Sequence, residues 1–277
     1  MKTICGTSDF YTMANATANR RWTEGVRGVR PSPSLSRSIE VEYLGVKIVV
    51  NHLTRMSPGY ICVAGIDPTT GKHVRPVLLG TRLTRALLSD EGGPFGLGAV
   101  VDIGPVQPNG SAPEVEDHLF DASKVKSGSA LKPKAFWQLL KSVAASNLAA
   151  VFGRHLKPNS SSMAVDQGNG TASLGCLLPT GRVNIEIDSR YDAVKLRFKD
   201  QGNELLVGVT DVRLFEQDQK TPKMKAIQDI NRRLSAGVPC ILSVGLSRAF
   251  IKKNDTEKRH YLQVNNFHLE DDPCWSG

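Results

Sequence analysis

"NHLTRMSPGYICVAG", Asn51–Gly65, is the stretch on which the fold turns. It places Leu53-Thr54-Arg55 at the end of one apolar run and opens a second at Tyr60-Ile61-Cys62-Val63. Near the other end of the chain, "GLSRAFIKKNDTEKRHYLQVNNF", Gly245–Phe267, repeats the pattern with Leu246-Ser247-Arg248 and then Tyr261-Leu262-Gln263-Val264. Ile66 and Phe267 extend the match. The connecting loops differ, with four residues in the first copy and twelve in the second. Self-similarity of this kind points to a duplicated β unit. It predicts Arg55 and Arg248 at equivalent positions of two superposable units, and a chance likeness of short strings is the alternative.

Outward from the first copy the pattern stays β. Val46–Val50 is aliphatic and β-branched. Tyr60–Ile66 and His73–Leu79 flank "DPTTGK", whose Asp, Pro and Gly suit a tight turn, so a hairpin is predicted. Pro76 lacks an N–H, which places its strand at an edge or a bulge. Ala99–Ile103 is the next strand, followed by a loop carrying Glu114, Glu116 and Asp117. Pro133–Phe152 predicts one helix, with Pro133 in its first turn, Gly153 as its stop and Phe136, Leu140, Val143 and Val151 near one face. Lys157–Gly170 reads as a loop. Strands resume at Ser173–Leu178, Val183–Ile187, Ala193–Phe198 and Leu205–Phe215, the last two joined by the turn "KDQGN". Thr221 as N-cap and Pro222 at the first position open a second helix, with Met224, Ile227, Ile230 and Leu234 as its buried stripe. Ile241–Leu246 and His260–Leu269 are the final strands.

Two sets of short strands, each with one helix, fit two small barrels better than one sandwich. The expected fold class is therefore mostly β with a few helices (α+β), as two tandem barrels of the OB type. Residues 43–156 form the first unit and 157–272 the second, with 273–277 expected to fray. Residues 1–42 lack a core-forming period and read as a disordered basic tail. Within 1–40 six basic residues face three acidic ones. The segment reads equally as a tail, an Arg-rich targeting segment or an extension from an upstream start codon.

The net charge of +8 permits contact with a polyanion without demanding it. No apolar run reaches the length of a membrane-spanning helix, and Met1–Phe10 lacks the apolar stretch of a secretory leader. The five cysteines, Cys5, Cys62, Cys176, Cys240 and Cys274, are widely spaced, form no CxxC and pair with no His at zinc spacing. They read as thiols of a reducing cytoplasm. No GxSxG, HExxH or Walker A run occurs, and Gly71-Lys72 is followed by His73 inside a hairpin turn. No catalytic residue, metal ligand or cofactor is assigned, and the chain is not expected to be an enzyme.

Taken together, "LTRM..GYICVAGID...GKHVRPVL", "GGPFGLGAVVDIG", "PEVEDHLF" and "ILSVGLSRAF......RHYLQVNNFHLEDD" resemble the bacterial dual OB-containing domain family, over about Val46 to Asp272. The resemblance rests on an Ala-Gly…Arg-Pro-Val hairpin early and a Leu-Gln-Val-Asn strand late. It implies two OB folds and a role in binding nucleic acid, in settings of conflict with phage or mobile elements.

The residues themselves offer a binding surface. Arg55, Arg75 and Arg248 lie in or at the end of strands, which fix a guanidinium fork well for phosphate. Pairing with a local carboxylate is the competing role for each. Arg259 and His260 open the last strand, and Gln263 and Asn265 follow on one face, with Asn266 on the other. Amides there suit base edges, or a buried β-bulge. Tyr60 and Tyr261 suit base stacking, or packing against the barrel. Three functions stay open: a nucleic-acid-binding module, a protein-interaction adaptor of a defence system, and a metal-dependent nuclease built on Glu114, Glu116 and Asp117 or on Glu270, Asp271 and Asp272.

Overall fold

Strand β1 (Lys47–Arg55) is buried along nearly its whole length. A strand of that kind needs cover on both faces. In the computed structural model, which describes residues 45–252 and 255–275, it has both. Ile48, Val50 and Leu53 enter the core of a first barrel. Val49 faces a second cluster with Ile66, Phe136, Trp137, Leu140, Cys176 and Ile241. A register shift between Val50 and His52 marks a bulge at Asn51. The tail expected at 1–42 lies outside the described residues.

β2 (Tyr60–Ile66) and β3 (His73–Val77) continue from β1 as an antiparallel meander. Their turn is the expected one, with Asp67 Oδ1 accepting from Thr69 N at 2.8 Å. β4 (Leu83–Thr84) adds to β2, and two 3-10 turns follow at Arg85–Leu87 and Ser89–Glu91. β5 (Ala99–Asp102) returns beside β1. β6 (Gln107–Pro108) pairs with β7 (Asp117–Leu119), β7 runs parallel to β3, and β8 (Lys126–Ala130) pairs with β5. β7 and β8 thus act as one closing strand broken between them. Pro76 stands opposite His118 of β7, past the point where β3 pairs with β2. Its missing N–H therefore breaks no β2 ladder.

The helix expected over 133–152 is broken in two. α1 (Pro133–Val143) ends where β9 (Ala144–Ala145) pairs with the second sheet, and α2 (Leu148–Phe152) restarts under an Asn147 cap, whose Oδ1 accepts from Ala150 N at 2.8 Å. Leu148, Phe152 and Leu156 belong to the second core, although the expected boundary put them in the first unit. Where a loop was expected, β10 (Lys157–Asn159) and β11 (Ser162–Asp166) form a hairpin, and β11 pairs with the start of the last strand.

The second ring opens with β12 (Leu174–Leu177) and β13 (Thr180–Asp188), again one strand in two parts. β14 (Ala193–Asp200) and β15 (Asn203–Val209) complete a meander. Gln201 and Gly202 take φ of 47° and 84° in the two-residue turn, which matches the strand twist. α3 (Met224–Ser235) crosses to β16 (Cys240–Leu246), and β17 (Arg259–Leu269) lies antiparallel to β16 and parallel to β15. A meander, a crossing helix and a parallel third-to-fifth pairing make the OB arrangement. β12 pairs with β16 and closes the ring. α3 starts later than expected because the Thr221 hydroxyl donates to Asp218 Oδ2 at 2.6 Å instead of capping it. Met224 is consequently half exposed, and Ile227 and Ile230 carry the buried stripe.

The repeated strings do not occupy equivalent strands. β1–β2 are the first and second strands of their ring, whereas β16–β17 are the fourth and fifth of theirs. Their registers differ too: Leu53 stands opposite Val63, and Leu246 opposite Leu262. The strings describe a hairpin, and a hairpin carries no information about its place in a ring.

The described residues form one compact unit. Its barrels are joined through polar groups. The Asn266 side chain imitates a peptide: Oδ1 accepts from Leu53 N at 2.7 Å and Nδ2 donates to Leu53 O at 3.2 Å. Asn51 Nδ2 donates to Ser243 Oγ at 3.2 Å, and Arg55 N donates to Thr210 O at 2.9 Å. The end expected to fray is packed up to its last described residue. Trp275 is buried, its Nε1 donates to Phe267 O at 3.1 Å, and the Arg213 guanidinium lies 3.8 Å from its ring. Among the described residues no helix is long and apolar enough to cross a membrane.

Candidate binding groove between the barrels

β1 ends on Arg55 and β16 runs out just before Arg248, so the two similar strings converge from opposite barrels. Together with Arg75 of β3 they line a groove of about 270 Å³. His52, Gln263 and Asn265 line it as well, and among the described residues no Asp or Glu does.

The three arginines are held differently. Arg75 is 3% exposed, and its Nε donates to Asp117 Oδ1 behind the groove. Arg248 Nη1 donates to the other Asp117 oxygen at 2.6 Å and lies 3.1 Å from Glu114. Burial opposes the charge on Arg248, but these two carboxylates outweigh it and raise its pKa. The Arg248 side chain is still half exposed. Arg55 has no carboxylate within salt-bridge distance among the described residues. Its guanidinium lies 3.8 Å from the Phe215 ring, and Nη1 donates to Gln219 O at 2.8 Å. Burial lowers its pKa, with Asp218 acting weakly against that. Gln219 itself clamps the β1–β2 turn, accepting from Gly59 N at 2.7 Å and donating to Tyr60 O at 3.1 Å.

The acidic loop is committed to structure. Glu116 accepts from Ser173 N and Leu174 N at 2.8 and 3.2 Å and from the Ser173 hydroxyl at 2.7 Å, tying the first barrel to the start of β12. Asp271 is paired with Arg233. Among the described residues no group of three or more His, Cys, Asp or Glu is placed to hold a metal ion.

The model of the dual OB-containing domain matches residues 47–267, the span of both barrels. The chain belongs to the dual OB-containing domain family. No curated protein shows a match to it.

In this dual OB-containing domain the remaining sequence candidates separate. Gln263 and Asn265 reach the groove, as their shared face required. Asn265 is the extra residue of a bulge, because Val264 stands opposite Val244 and Asn266 opposite Ser243. Its amide lies where a Cβ of residue 245 would be, at 2.5 Å, so the strand carries Gly245 there. Tyr60 is 38% exposed, with Arg82 at 5.8 Å from its ring. Tyr261 is buried against Phe250 at 4.7 Å, with Lys252 Nζ 3.8 Å from its centroid and its hydroxyl on Asp255 Oδ2 at 3.1 Å. That leaves no open ring face for a base. His260 is buried on Ser247 O at 2.9 Å. Arg259 is divided among Asp166, Asp255 and Glu257 at 2.9, 2.6 and 3.3 Å. Sequence reasoning missed His52, which sits on the groove wall 1% exposed. Its pKa is held well below the ordinary range, first by burial and then by the neighbouring His73, His268 and Arg75. Two polar residues in the middle of the aliphatic β1 were the signal for it.

Proposed function

We propose that this dual OB-containing domain is a nucleic-acid-binding module that contacts its ligand through the groove between the barrels. The observation that carries the proposal is the groove wall, three arginines with no acidic residue among them. Arg55 contributes most, because a half-buried guanidinium without a counter-ion favours the arrival of an anion. Gln263 offers an amide beside it, and Tyr60 a partly open ring on the same hairpin. OB barrels use arginine for phosphates and flat side chains for bases. No reaction is assigned to it. The resemblance supports a role in bacterial conflict with phage or mobile elements, and the unpaired cysteines support a reducing cytoplasm.

The test is a titration with single-stranded DNA, RNA and duplex at several salt concentrations. Salt-sensitive binding to at least one is expected. Arg55→Ala should weaken it by about 1–3 kcal/mol and reduce the salt slope by about one. Salt-insensitive or absent binding to all three would remove the proposal and leave the groove to a protein partner, as an adaptor would use it.

A further inference from the structure

The floor of the groove differs from its rim. Arg248 and Phe250 at the rim are half exposed, whereas His52, Ala64, Arg75 and Leu174 below them are buried. Three nitrogens of the residues around this floor have no partner among the described residues: His52 Nε2, Arg55 Nε and Arg75 Nη2. The two arginine nitrogens are N–H donors with no acceptor function. The histidine proton follows from its neighbours. Asn265 Oδ1 lies 3.3 Å from Thr210 Oγ1, whose hydroxyl also reaches Val264 O at 3.4 Å, and Asn265 Nδ2 faces His52 Nδ1 at 3.0 Å. Nδ1 must then accept, so the ring proton sits on Nε2.

Three buried donors without a partner, and no acidic lining among the described residues, describe a receptor for an oxyanion, and a buried N–H is costly to leave unmade. The shape narrows the class of anion. A phosphodiester inside a strand carries a sugar on both sides, which keeps it at the open rim of the groove, above the buried donors. A phosphomonoester has one substituent, three free oxygens and a charge between one and two at neutral pH. We propose that the floor of the groove is a phosphomonoester site on His52, Arg55 and Arg75, taken by the terminal phosphate of a strand that leaves over the rim past Arg248. This rests on the nucleic-acid reading of the groove. A free mononucleotide or inorganic phosphate shares the chemistry.

The experiment uses the full chain and one oligonucleotide in three forms, with a 5′-phosphate, with a 3′-phosphate and with hydroxyls at both ends. Binding is followed by fluorescence anisotropy, with inorganic phosphate as competitor. One phosphorylated form should bind about tenfold or more tightly than the hydroxyl form, a difference of one charge-assisted hydrogen bond or more. Inorganic phosphate should displace it. Arg55→Gln should erase the difference, and Arg55→Lys, which keeps the charge but loses the Nε donor, should erase most of it. Both variants leave the ion pairs intact, and thermal unfolding checks that they fold. Equal affinity for all three forms overturns the phosphomonoester site and leaves the nucleic-acid groove standing. If no strand binds but inorganic phosphate or a nucleoside monophosphate raises the unfolding temperature, the nucleic-acid reading and the strand end fall, and the site belongs to a free mononucleotide. No response to any of these probes overturns both.

Discussion

Replacing Arg75 and replacing Arg55 should damage the protein in opposite ways. Arg75→Ala removes one member of a buried pair, since both Arg75 and Asp117 are almost wholly enclosed. Breaking such a pair costs about 3–5 kcal/mol, because the charge left behind is neither hydrated nor neutralised. Here Arg248 remains 2.6 Å from Asp117, so the stranded carboxylate keeps one partner. The low end, about 3 kcal/mol, is the expected loss. For a folded body of this size that corresponds to a fall of about 6–12 °C in Tm. Arg55→Ala gives up one hydrogen bond to Gln219 O and the stacking on Phe215. That amounts to about 1–2 kcal/mol, with no buried charge abandoned. Thermal and urea unfolding of the two variants, side by side with ligand titrations, separates the roles. Arg75→Ala should melt early, whereas Arg55→Ala should melt closer to wild type with its anion affinity weakened. An Arg75→Ala protein melting within about 2 °C of wild type would refute the reasoning, because the Arg75–Asp117 pair would then not be a structural element.

Acid should weaken the fold through its buried histidines. Burial holds His73 and His268 down to about 4 and His52 well below its ordinary value, while the unfolded chain protonates them near 6.5. Stability is thus complete above pH 6.5 and lost as pH falls toward 4, at about 2 kcal/mol each for His73 and His268 by pH 5; a urea midpoint unchanged between pH 7 and pH 5 contradicts this. Asn266→Ala should cost about 2–4 kcal/mol by stranding Leu53 N and Leu53 O. Hydrogen exchange should show the Leu53 amide losing protection first, and an amide as protected as in wild type would count against the peptide-like pairing. Burial pushes the thiols of Cys176 and Cys240 up to about 12, so both should stay unmodified by an alkylating agent at pH 8 in the native chain. Prompt labelling of either, read by mass spectrometry, goes against that burial.

Turn chemistry is local, and it was legible. "DPTTGK" and "KDQGN" name their hairpins without reference to the rest of the chain. The failures came where a distant strand decided the outcome. Ala144–Ala145 leave a good helical pattern because β12 offers them a ladder, and Ser162–Asp166 become a strand because β17 has an edge to fill. The site was half legible. Arg55, Arg75 and Arg248 could be picked by residue type and position in strands, but the partners that distinguish them come from elsewhere. Asp117 reaches Arg75 and Arg248 only because β7 lies parallel to β3, and Arg55 lacks such a neighbour. Tyr261 and His260 looked available on an alternating strand. The chain after β16 folds back with Phe250 and Asp255 and closes them off.

The polar joint between the barrels also sets a timetable for synthesis. Asn51 and Ser243 are 192 residues apart, yet the Asn51 amide donates to the Ser243 hydroxyl. At ribosomal speeds of about 5–20 residues per second, the first barrel waits roughly 10–40 s for its partner strand. During that interval α1 can cover Val49 and Ile66, but Asn51 and His52 wait for Ser243 and Asn265. The nascent chain therefore presents a polar strip, whose cover is complete only with the last strand. A slow-translating host or a truncated message would prolong that exposure, and chaperone dependence should track the time to β17 rather than the total chain length.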